Sequence, residues 1–132
     1  MRRLALIAEA FAALAIASLL IAIFSFRKIA AMAAQARRDV PDAPSATARD
    51  IGWAIAGWGR RVPWRAVCFQ QGLAAQLMLR RRGLAAALYY GARHDEQGKL
   101  VAHVWVRSGD VDVIGCAGAE AYGLLAVFPP AA

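Results

Sequence analysis

The segment VPWRAVCFQQGLAAQLMLRRRG, residues 62–83, predicts one helix with two defined ends. Pro63 lacks an N–H and has a fixed φ angle, which suits a position just before or within the first turn of a helix. Strong helix formers follow from Ala66 onward. The arginines at 80–82 suit the negative end of the helix dipole, and Gly83 suits the residue after a helix. This is the best-delimited element of the chain.

Cys68 falls in the first turn of this helix. A thiol there faces backbone N–H groups that lack helical partners and the positive end of the helix dipole, and both favour the thiolate. The other cysteine, Cys116, lies in a predicted strand near the C-terminus. We therefore expect Cys68 to be the reactive cysteine.

Length and composition predict a single basic domain. The chain has 132 residues, is 60% apolar, and carries a formal charge of +7 that comes mainly from arginines. Arginine-rich surfaces suit acidic peptides, phosphates or anionic lipid, but no nucleic-acid-binding motif is present, so no nucleic-acid partner is expected. The two cysteines form neither a metal pattern nor a disulfide framework, which favours a reducing compartment and predicts no metal and no cofactor.

An apolar run, LALIAEAFAALAIASLLIAIFSF, occupies residues 4–26. It is long enough to span a bilayer, and Glu9 and Ser18 interrupt it. Three interpretations are open: a packed or amphipathic helix, which we favour, a membrane helix, or a secretory signal. The run therefore allows membrane association through residues 4–26.

The segment QARRDVPDAPSAT, residues 35–47, predicts a linker or tight corner because of its prolines. It divides the chain into an N-terminal hydrophobic helix with its linker, residues 1–40, and a domain at residues 45–132. A second predicted helix then runs through Ile51 and Ile55.

Three tryptophans, Trp53, Trp58 and Trp64, precede Cys68. Core packing around the cysteine helix is the simpler interpretation. A peptide-binding wall beside the thiol is the alternative. Both interpretations place the indole rings next to the helix that begins near Cys68.

After Gly83 the pattern changes from helical spacing to short apolar runs separated by polar turns. These runs predict strands at residues 84–91, 100–107, 111–116 and 122–128. Short loops between such strands imply an antiparallel β-meander. Helices first and a sheet afterwards give the predicted fold class, α+β.

Two histidines are available as a base for the cysteine. A cysteine nucleophile needs a group that holds it as thiolate and later protonates the leaving amine. His94 borders an acidic turn and is predicted to be a surface residue. His103 lies in the apolar strand AHVWV, where a histidine is often a satisfied core residue, but its combination with a helix-start cysteine favours the catalytic interpretation.

Residues 62–83, followed by a strand and then AHVWV, resemble the lasso-peptide B proteins, the leader peptidases of lasso-peptide maturation. The resemblance covers roughly residues 62–129. It implies a papain- or transglutaminase-like fold with a Cys-His-Asp catalytic set, in which Cys68 matches the nucleophile and His103 the base. The implied activity is a cytoplasmic cysteine protease that removes the leader from a ribosomally made precursor before macrolactam cyclisation.

The resemblance implies an acid as the third catalytic residue. The family usually places its acid about twelve residues after the histidine, where this chain has Gly115. Asp110 and Asp112 lie nearby. We predict that Asp112 orients His103. A backbone carbonyl, a water or the lack of an orienting acid are the alternatives.

The register of the predicted hairpin decides whether Asp112 can do so. A turn at residues 108–109 places Asp112 on the face of His103, one diagonal step away at about 7–8 Å. A turn at residues 109–110 pairs Asp112 with Arg107, far from His103.

The oxyanion of the reaction would be met by the Cys68 backbone N–H and one side-chain donor. Gln70 and Gln71 are available. Papain-like enzymes usually bring that glutamine from upstream of the cysteine, so neither residue is favoured.

The resemblance also implies partners. Some members carry an N-terminal winged-helix domain that recognises the leader, and the residues before Ala48 are too few and too poor in strands to form one. We therefore expect the lasso precursor as substrate, a separate leader-recognition protein, and a lasso cyclase resembling asparagine synthetase that acts next. Two other function classes stay open: a small membrane-anchored binding protein with a structural cysteine, and a transglutaminase-like amidase acting on another peptide.

Overall fold

The structure is a computed structural model, and it describes residues 2–35 and 40–129. Four α-helices and then four strands form this part of the chain. The helices are α1 (Arg2–Ile23), α2 (Phe26–Ala33), α3 (Ser45–Gly59) and α4 (Cys68–Arg81). The strands are β1 (Ala87–His94), β2 (Leu100–Ser108), β3 (Val111–Ile114) and β4 (Gly123–Phe128). The predicted α+β fold class is confirmed.

Helix α4 is the helix predicted from the 62–83 segment. Arg80 and Arg81 lie in its last turn, where cations suit the helix dipole. Gly83 follows with a φ of 70°, a left-handed conformation that costs glycine little because it has no Cβ. The chain can therefore leave the helix sharply and enter the sheet.

The sheet is antiparallel, with the strand order β3-β2-β1-β4. Strands β1, β2 and β3 form a meander, whereas β4 pairs with β1 at the opposite edge. The connection from β3 to β4 therefore passes across the ends of the middle strands, and it contains a short 3-10 turn at Ala119–Ala121. This crossing brings Tyr122 against the ring of His103.

Helix α4 packs closely against the middle of the sheet through Gly72. A Cβ at Gly72 would lie 2.7 Å from a methyl group of Val104 and 3.6 Å from one of Val106. Side chains alternate between the two faces of a strand. Val104 and Val106 therefore face the helix, while His103 and Trp105 face the other side of the sheet.

Helix α3 covers the β3 edge of the same sheet face. Its Gly52 is buried, and a Cβ there would collide with the backbone carbonyl of Val113. Ile51 and Ile55 are fully buried in the core shared with α4. Glycine in mid-helix is thus explained by the direct approach of the helix to a strand backbone.

Helix α1 packs on α3 and α4 along one side. Its Glu9 carboxylate accepts hydrogen bonds from both terminal nitrogens of Arg82, at 2.5 and 2.7 Å, and lies 2.9 Å from a nitrogen of Arg81. The hydrogen bonds from Arg82 hold the pKa of Glu9 below its ordinary value of 4.5, with Arg81 adding to the effect. The buried residues of this side include Ala10, Leu14 and Ala17.

The other side of α1 is open. The span Arg3–Ile23 has a mean hydropathy of 2.5, and by length and composition it could cross a membrane. Only 22% of it is buried inside the protein. The apolar run at residues 4–26 is therefore packed along one side and exposed along the other.

The predicted linker at residues 35–47 lies partly outside the described residues, because 36–39 are not described. Its described part is attached to the sheet: the Ala43 N–H donates to the Ser108 hydroxyl at 2.7 Å, and both residues are buried. The division of the chain at this linker stays a prediction.

Candidate active site

Cys68 is the first residue of α4 and is half-buried. Val67 before it has an extended backbone, so the helix begins abruptly at the cysteine. The first N–H groups of a helix have no helical partners, and Cys68 lies in that first turn of α4. The predicted position of Cys68 at a helix start is thus present.

Gln70 and Gln71 hold the backbone that leads into this helix. The Gln70 Oε1 accepts the N–H of Val67 at 3.2 Å, and the Gln71 Nε2 donates to the carbonyl of Ala66 at 2.8 Å. Both side chains therefore serve the helix start. The oxyanion donor that the helix geometry supplies is the backbone N–H of Cys68.

His103 is held by three neighbours on the sheet face opposite to α4. Its Nε2 lies 2.7 Å from the carbonyl oxygen of Gly115. Its ring stacks on Trp105, with centroids 5.8 Å apart, and lies 4.9 Å from the ring of Tyr122. The ring is half-buried by these contacts.

The contact with Gly115 fixes the tautomer of His103. A carbonyl oxygen can only accept, so Nε2 carries the proton of this contact, and in the neutral imidazole Nδ1 is the nitrogen with the free lone pair. Gly115 itself has a φ of 74°, and a Cβ there would lie 2.8 Å from the carbonyl oxygen of Val104. Glycine is therefore required where the carbonyl meets the histidine.

Cys68 and His103 lie on elements in direct contact, α4 and β2, but their side chains are not paired. Val104 contacts α4, so the side chain of His103 leaves β2 on the far face. Among residues 2–35 and 40–129, no hydrogen bond joins the Cys68 thiol to the imidazole. The two helix and strand elements are therefore in contact at Gly72 and Val104, and the thiol and the imidazole are not hydrogen-bonded to each other.

Asp112 is placed away from His103. The hairpin turn lies at residues 109–110, so Asp112 pairs with Arg107 across the strands. Its Oδ1 accepts from the Arg107 Nε at 2.9 Å, which raises the pKa of Arg107. The predicted diagonal approach to His103 is corrected here: the other register forms because Gly109, with a φ of 58°, occupies the left-handed turn position.

Cys116 is attached to β2 by its thiol. Its Sγ donates to the Val106 carbonyl at 3.3 Å. Burial is the main reason that the pKa of the Cys116 thiol is raised, and the nearby Asp112 carboxylate adds to it. Cys116 is therefore mostly a neutral thiol at neutral pH.

Comparison with known protein families identifies the fold family. A model of the transglutaminase-like superfamily matches residues 11–126, most of the chain. The chain belongs to the transglutaminase-like superfamily. Searches of curated proteins and of solved structures each return no match. Members of this superfamily are typically cysteine peptidases or transglutaminases, so the domain suggests a cysteine-protease-like or amidase-like function.

In this transglutaminase-like domain the three tryptophans belong mainly to the contact with α1. The Trp58 Nε1 donates to the carbonyl of Ile7 at 2.9 Å, and the Trp64 Nε1 donates to the Ser18 hydroxyl at 3.0 Å. Trp53 is exposed, and the guanidinium of Arg3 lies over its ring. Helix packing therefore accounts for most of this cluster.

Trp64 also lines a groove beside the helix start of the transglutaminase-like domain. The groove has a volume of about 580 Å³ and lies between α1 and the segment that precedes Cys68. Its wall is mostly apolar, with a guanidinium and an amide at the α4 side. The lining includes Ala15, Ala22, Trp64, Arg65 and Gln70.

The described residues contain no group of three or more histidine, cysteine or acidic side chains that could hold a metal ion. The polar groups of the candidate site are the thiol of Cys68, the imidazole of His103 and the carbonyl oxygen of Gly115.

Two residues at this site were not predicted from the sequence. The sequence does not show that the Gly115 carbonyl would bind His103. The signal that could have indicated it is the spacing, because Gly115 lies twelve residues after His103, where the resembled family has its acid. Tyr122 approaches His103 because β4 returns to the β1 edge, and no local sequence pattern indicates that crossing.

Proposed function

We propose that this chain is a cysteine peptidase that removes the leader peptide from a lasso-peptide precursor. The observation that carries the proposal is the transglutaminase-like family match over residues 11–126, together with Cys68 as the first residue of the helix packed on the strand of His103. The resemblance of the 62–83 segment and the AHVWV strand to lasso-peptide B proteins supports the narrower assignment.

The proposed reaction has two steps. The Cys68 thiolate attacks the scissile carbonyl carbon, the C–N bond breaks, and the amine leaves with a proton from His103, which gives a thioester on Cys68. The proton that His103 gives to the amine is the one it took from the Cys68 thiol. Water then gives a proton to His103 and attacks the thioester, which releases the acid and the thiolate, and His103 returns the proton to the thiol. The backbone N–H at the start of α4 stabilises the oxyanion in both steps.

This chemistry needs Nδ1 of His103 to reach the thiol. Nε2 is bonded to the Gly115 carbonyl, so Nδ1 is the nitrogen left to exchange a proton with Cys68. Catalytic hydrogen bonds are often long or poorly aligned without substrate and tighten in the complex. Peptide binding would therefore have to rearrange β2 locally, so that Nδ1 of His103 comes within hydrogen-bond distance of the Cys68 thiol.

The groove between α1 and the segment that leads into α4 is the proposed place for the peptide. Its apolar wall and Trp64 suit an apolar substrate residue, and Arg65 suits an acidic one. The substrate would be delivered by a separate leader-recognition protein. A lasso cyclase resembling asparagine synthetase would use the released core peptide. We propose that this chain, the leader-recognition protein and the cyclase all act in the cytoplasm.

Two other functions are supported by particular observations. An amidase acting on a different peptide would use the same cysteine and histidine, and the superfamily contains both activities. A binding protein with a structural Cys68 is supported by the absence of a thiol–imidazole hydrogen bond within the described residues and by the apolar helix α1.

The test is a cleavage assay with a lasso precursor peptide and a leader-recognition protein, analysed by mass spectrometry. We expect one cut at the end of the leader, no cut by Cys68→Ala, and a normal cut by Cys116→Ala. A modified amide without leader release would support the amidase. An inert wild-type protein that still binds the precursor would support the binding protein.

A further inference from the structure

The outer side of α1 is apolar along its whole length. Every residue that α1 exposes after Arg3 is apolar, although a helix on the surface of a soluble protein usually turns polar residues outward. The stripe runs from Leu4 to Ile23, so it is about 30 Å long at 1.5 Å per residue. The outer stripe includes Leu4, Ala8, Ala12, Ile16, Leu19 and Ile23.

Cations stand at both ends of this outer stripe. Arg3 is exposed at its start, and Arg27 and Lys28 are exposed just after its end. Glu9 is the acidic residue of this region, and Arg82 and Arg81 neutralise it. The outer stripe therefore presents apolar side chains with cations at each end that form no ion pair with any acidic residue among residues 2–35 and 40–129.

The charge of the whole chain is separated in the same way. Residues 1–83 contain thirteen basic and four acidic residues, a formal charge of +9. Residues 84–132 contain three basic and five acidic residues, a formal charge of −2. A surface that is negative overall would attract the helical half and would orient α1 toward itself.

Exposed aromatic residues border the outer stripe. Trp53 is exposed beside α1, and Phe24 and Phe26 follow its C-terminal end. Amphipathic aromatic rings favour the boundary between lipid headgroups and acyl chains.

We propose that α1 docks flat on an anionic lipid bilayer, with the outer stripe among the acyl chains and the flanking cations on the headgroups. This inference goes beyond the peptidase proposal and does not depend on it. The occupant is lipid because the stripe is long, continuous and apolar, and because the cations at its ends complement anionic headgroups.

The inner contacts of α1 explain why it lies on the bilayer instead of crossing it. To cross, α1 would have to leave the Arg82 and Arg81 partners of Glu9 and the Trp58 indole that donates to Ile7. It would also take Ala10, Leu14 and Ala17 out of the core. Flat docking keeps all of these contacts and removes only the outer stripe from water.

The experiment measures binding of the full chain to phosphatidylcholine vesicles with and without one quarter phosphatidylglycerol, by co-sedimentation. The variant Leu4→Gln/Ile16→Gln/Ile23→Gln changes three side chains that are 51–69% exposed and lie outside the lining of the groove at Trp64. The matched control, Leu100→Gln/Leu124→Gln/Leu125→Gln, changes three sheet residues that are 55–65% exposed.

We expect the protein to bind the anionic vesicles, the α1 variant to bind at least about tenfold more weakly, and the control to bind like the wild type. The proposal would be overturned if the α1 variant bound anionic vesicles as well as the wild type does. It would also be overturned if the control variant lost as much binding as the α1 variant, or if the wild type bound neutral vesicles as well as anionic ones. A lipid-free dimer that only the α1 variant loses would also overturn it, because the outer stripe would then join two copies of this chain.

A second variant covers the case in which the first does not fold, as judged by circular dichroism. Arg27→Gln/Lys28→Gln leaves the apolar residues in place, and it should weaken binding to anionic vesicles while unbound protein stays folded. Unchanged binding of this variant would contradict the proposal. In cell membranes, alkaline carbonate should release the protein, and retention in the carbonate-washed pellet would show that α1 crosses the bilayer.

Discussion

The Nε2 atom of His103 donates to the carbonyl oxygen of Gly115, twelve residues later in the chain. This is the position at which lasso-peptide B proteins usually carry the catalytic acid. A carbonyl can hold the tautomer and orientation of the imidazole as a carboxylate does, but it brings no full negative charge to stabilise an imidazolium. The site therefore has an orienting acceptor at the expected spacing and lacks the expected charge there.

Replacement of Asp112 tests this assignment. Asp112→Asn should leave leader cleavage within about twofold of wild type, because Asp112 is hydrogen-bonded to Arg107 and not to His103. The measurement is the initial cleavage rate, with Arg107→Gln as the control that removes the other half of the pair. A loss of tenfold or more, the size seen when a group that orients a histidine is removed, would restore Asp112 to the catalytic set.

Alkylation distinguishes the two thiols. Iodoacetamide at pH 7 should modify Cys68 about tenfold or more faster than Cys116, because burial raises the pKa of the Cys116 thiol and lowers its thiolate fraction. Peptide mapping by mass spectrometry gives both rates in one sample, and Cys116→Ala confirms which rate belongs to Cys68. Equal rates for the two thiols would remove Cys68 as the proposed nucleophile.

The Glu9 cluster predicts a pH-dependent contribution to stability. The folded pKa of Glu9 lies below its unfolded value of 4.5, so its contribution is fully present above that pH and is lost as the pH falls through the folded pKa. At pH 7, Glu9→Gln should lower the free energy of unfolding by about 1 kcal/mol, or the Tm by about 4 °C.

Thermal unfolding at several pH values measures this effect. The difference between wild type and Glu9→Gln should shrink below pH 4.5, while Glu96→Gln, a change at an exposed turn residue, should have little effect at any pH. A difference that stays constant down to low pH would mean that the ion pairs with Arg82 and Arg81 contribute no stability.

The contact between α3 and β3 is tested at Gly52. Gly52→Ala should lower the free energy of unfolding by about 2 kcal/mol despite the better helix propensity of alanine, because the new Cβ would meet the Val113 carbonyl. Gly57→Ala is the matched control in the same helix, since its Cβ would meet only an Arg61 nitrogen at 3.4 Å. Chemical denaturation measures both, and a stabilising Gly52→Ala would contradict this packing.

The fold class and the position of Cys68 could be predicted because their signals are local. Helix formers, Pro63 and Gly83 delimit α4, and short apolar runs delimit the strands. The register at Asp112 was a choice between two turns one residue apart, and Gly109 decided it through its left-handed conformation. A local sequence pattern contains little information about which of two adjacent turns forms.

The partner of His103 and the side of the sheet on which it lies depend on tertiary structure. Alternation predicts that His103 and Val104 face opposite sides, but only the contact of Val104 with Gly72 shows which side holds the helix. The approach of Tyr122 depends on β4 joining β1. These relations link residues distant in sequence, so periodicity and propensity could not supply them.

The cleavage of a lasso precursor by a set of single and double variants decides whether Cys68 and His103 act as a catalytic pair. With the leader-recognition protein present, Cys68→Ala should abolish leader release, and His103→Ala should reduce it nearly as far, because the thiol then lacks its base and proton donor. The Cys68→Ala/His103→Ala double variant should be no worse than Cys68→Ala, since the two residues act as one unit.

His94→Ala should cleave like the wild type in the same assay, because His94 is exposed at the end of β1. Mass spectrometry of the released leader gives the rate for each variant, and circular dichroism confirms that each is folded. We expect loss of cleavage in Cys68→Ala and His103→Ala, with His94→Ala active. Wild-type cleavage by folded Cys68→Ala or His103→Ala would contradict the assignment of these two residues as a catalytic pair.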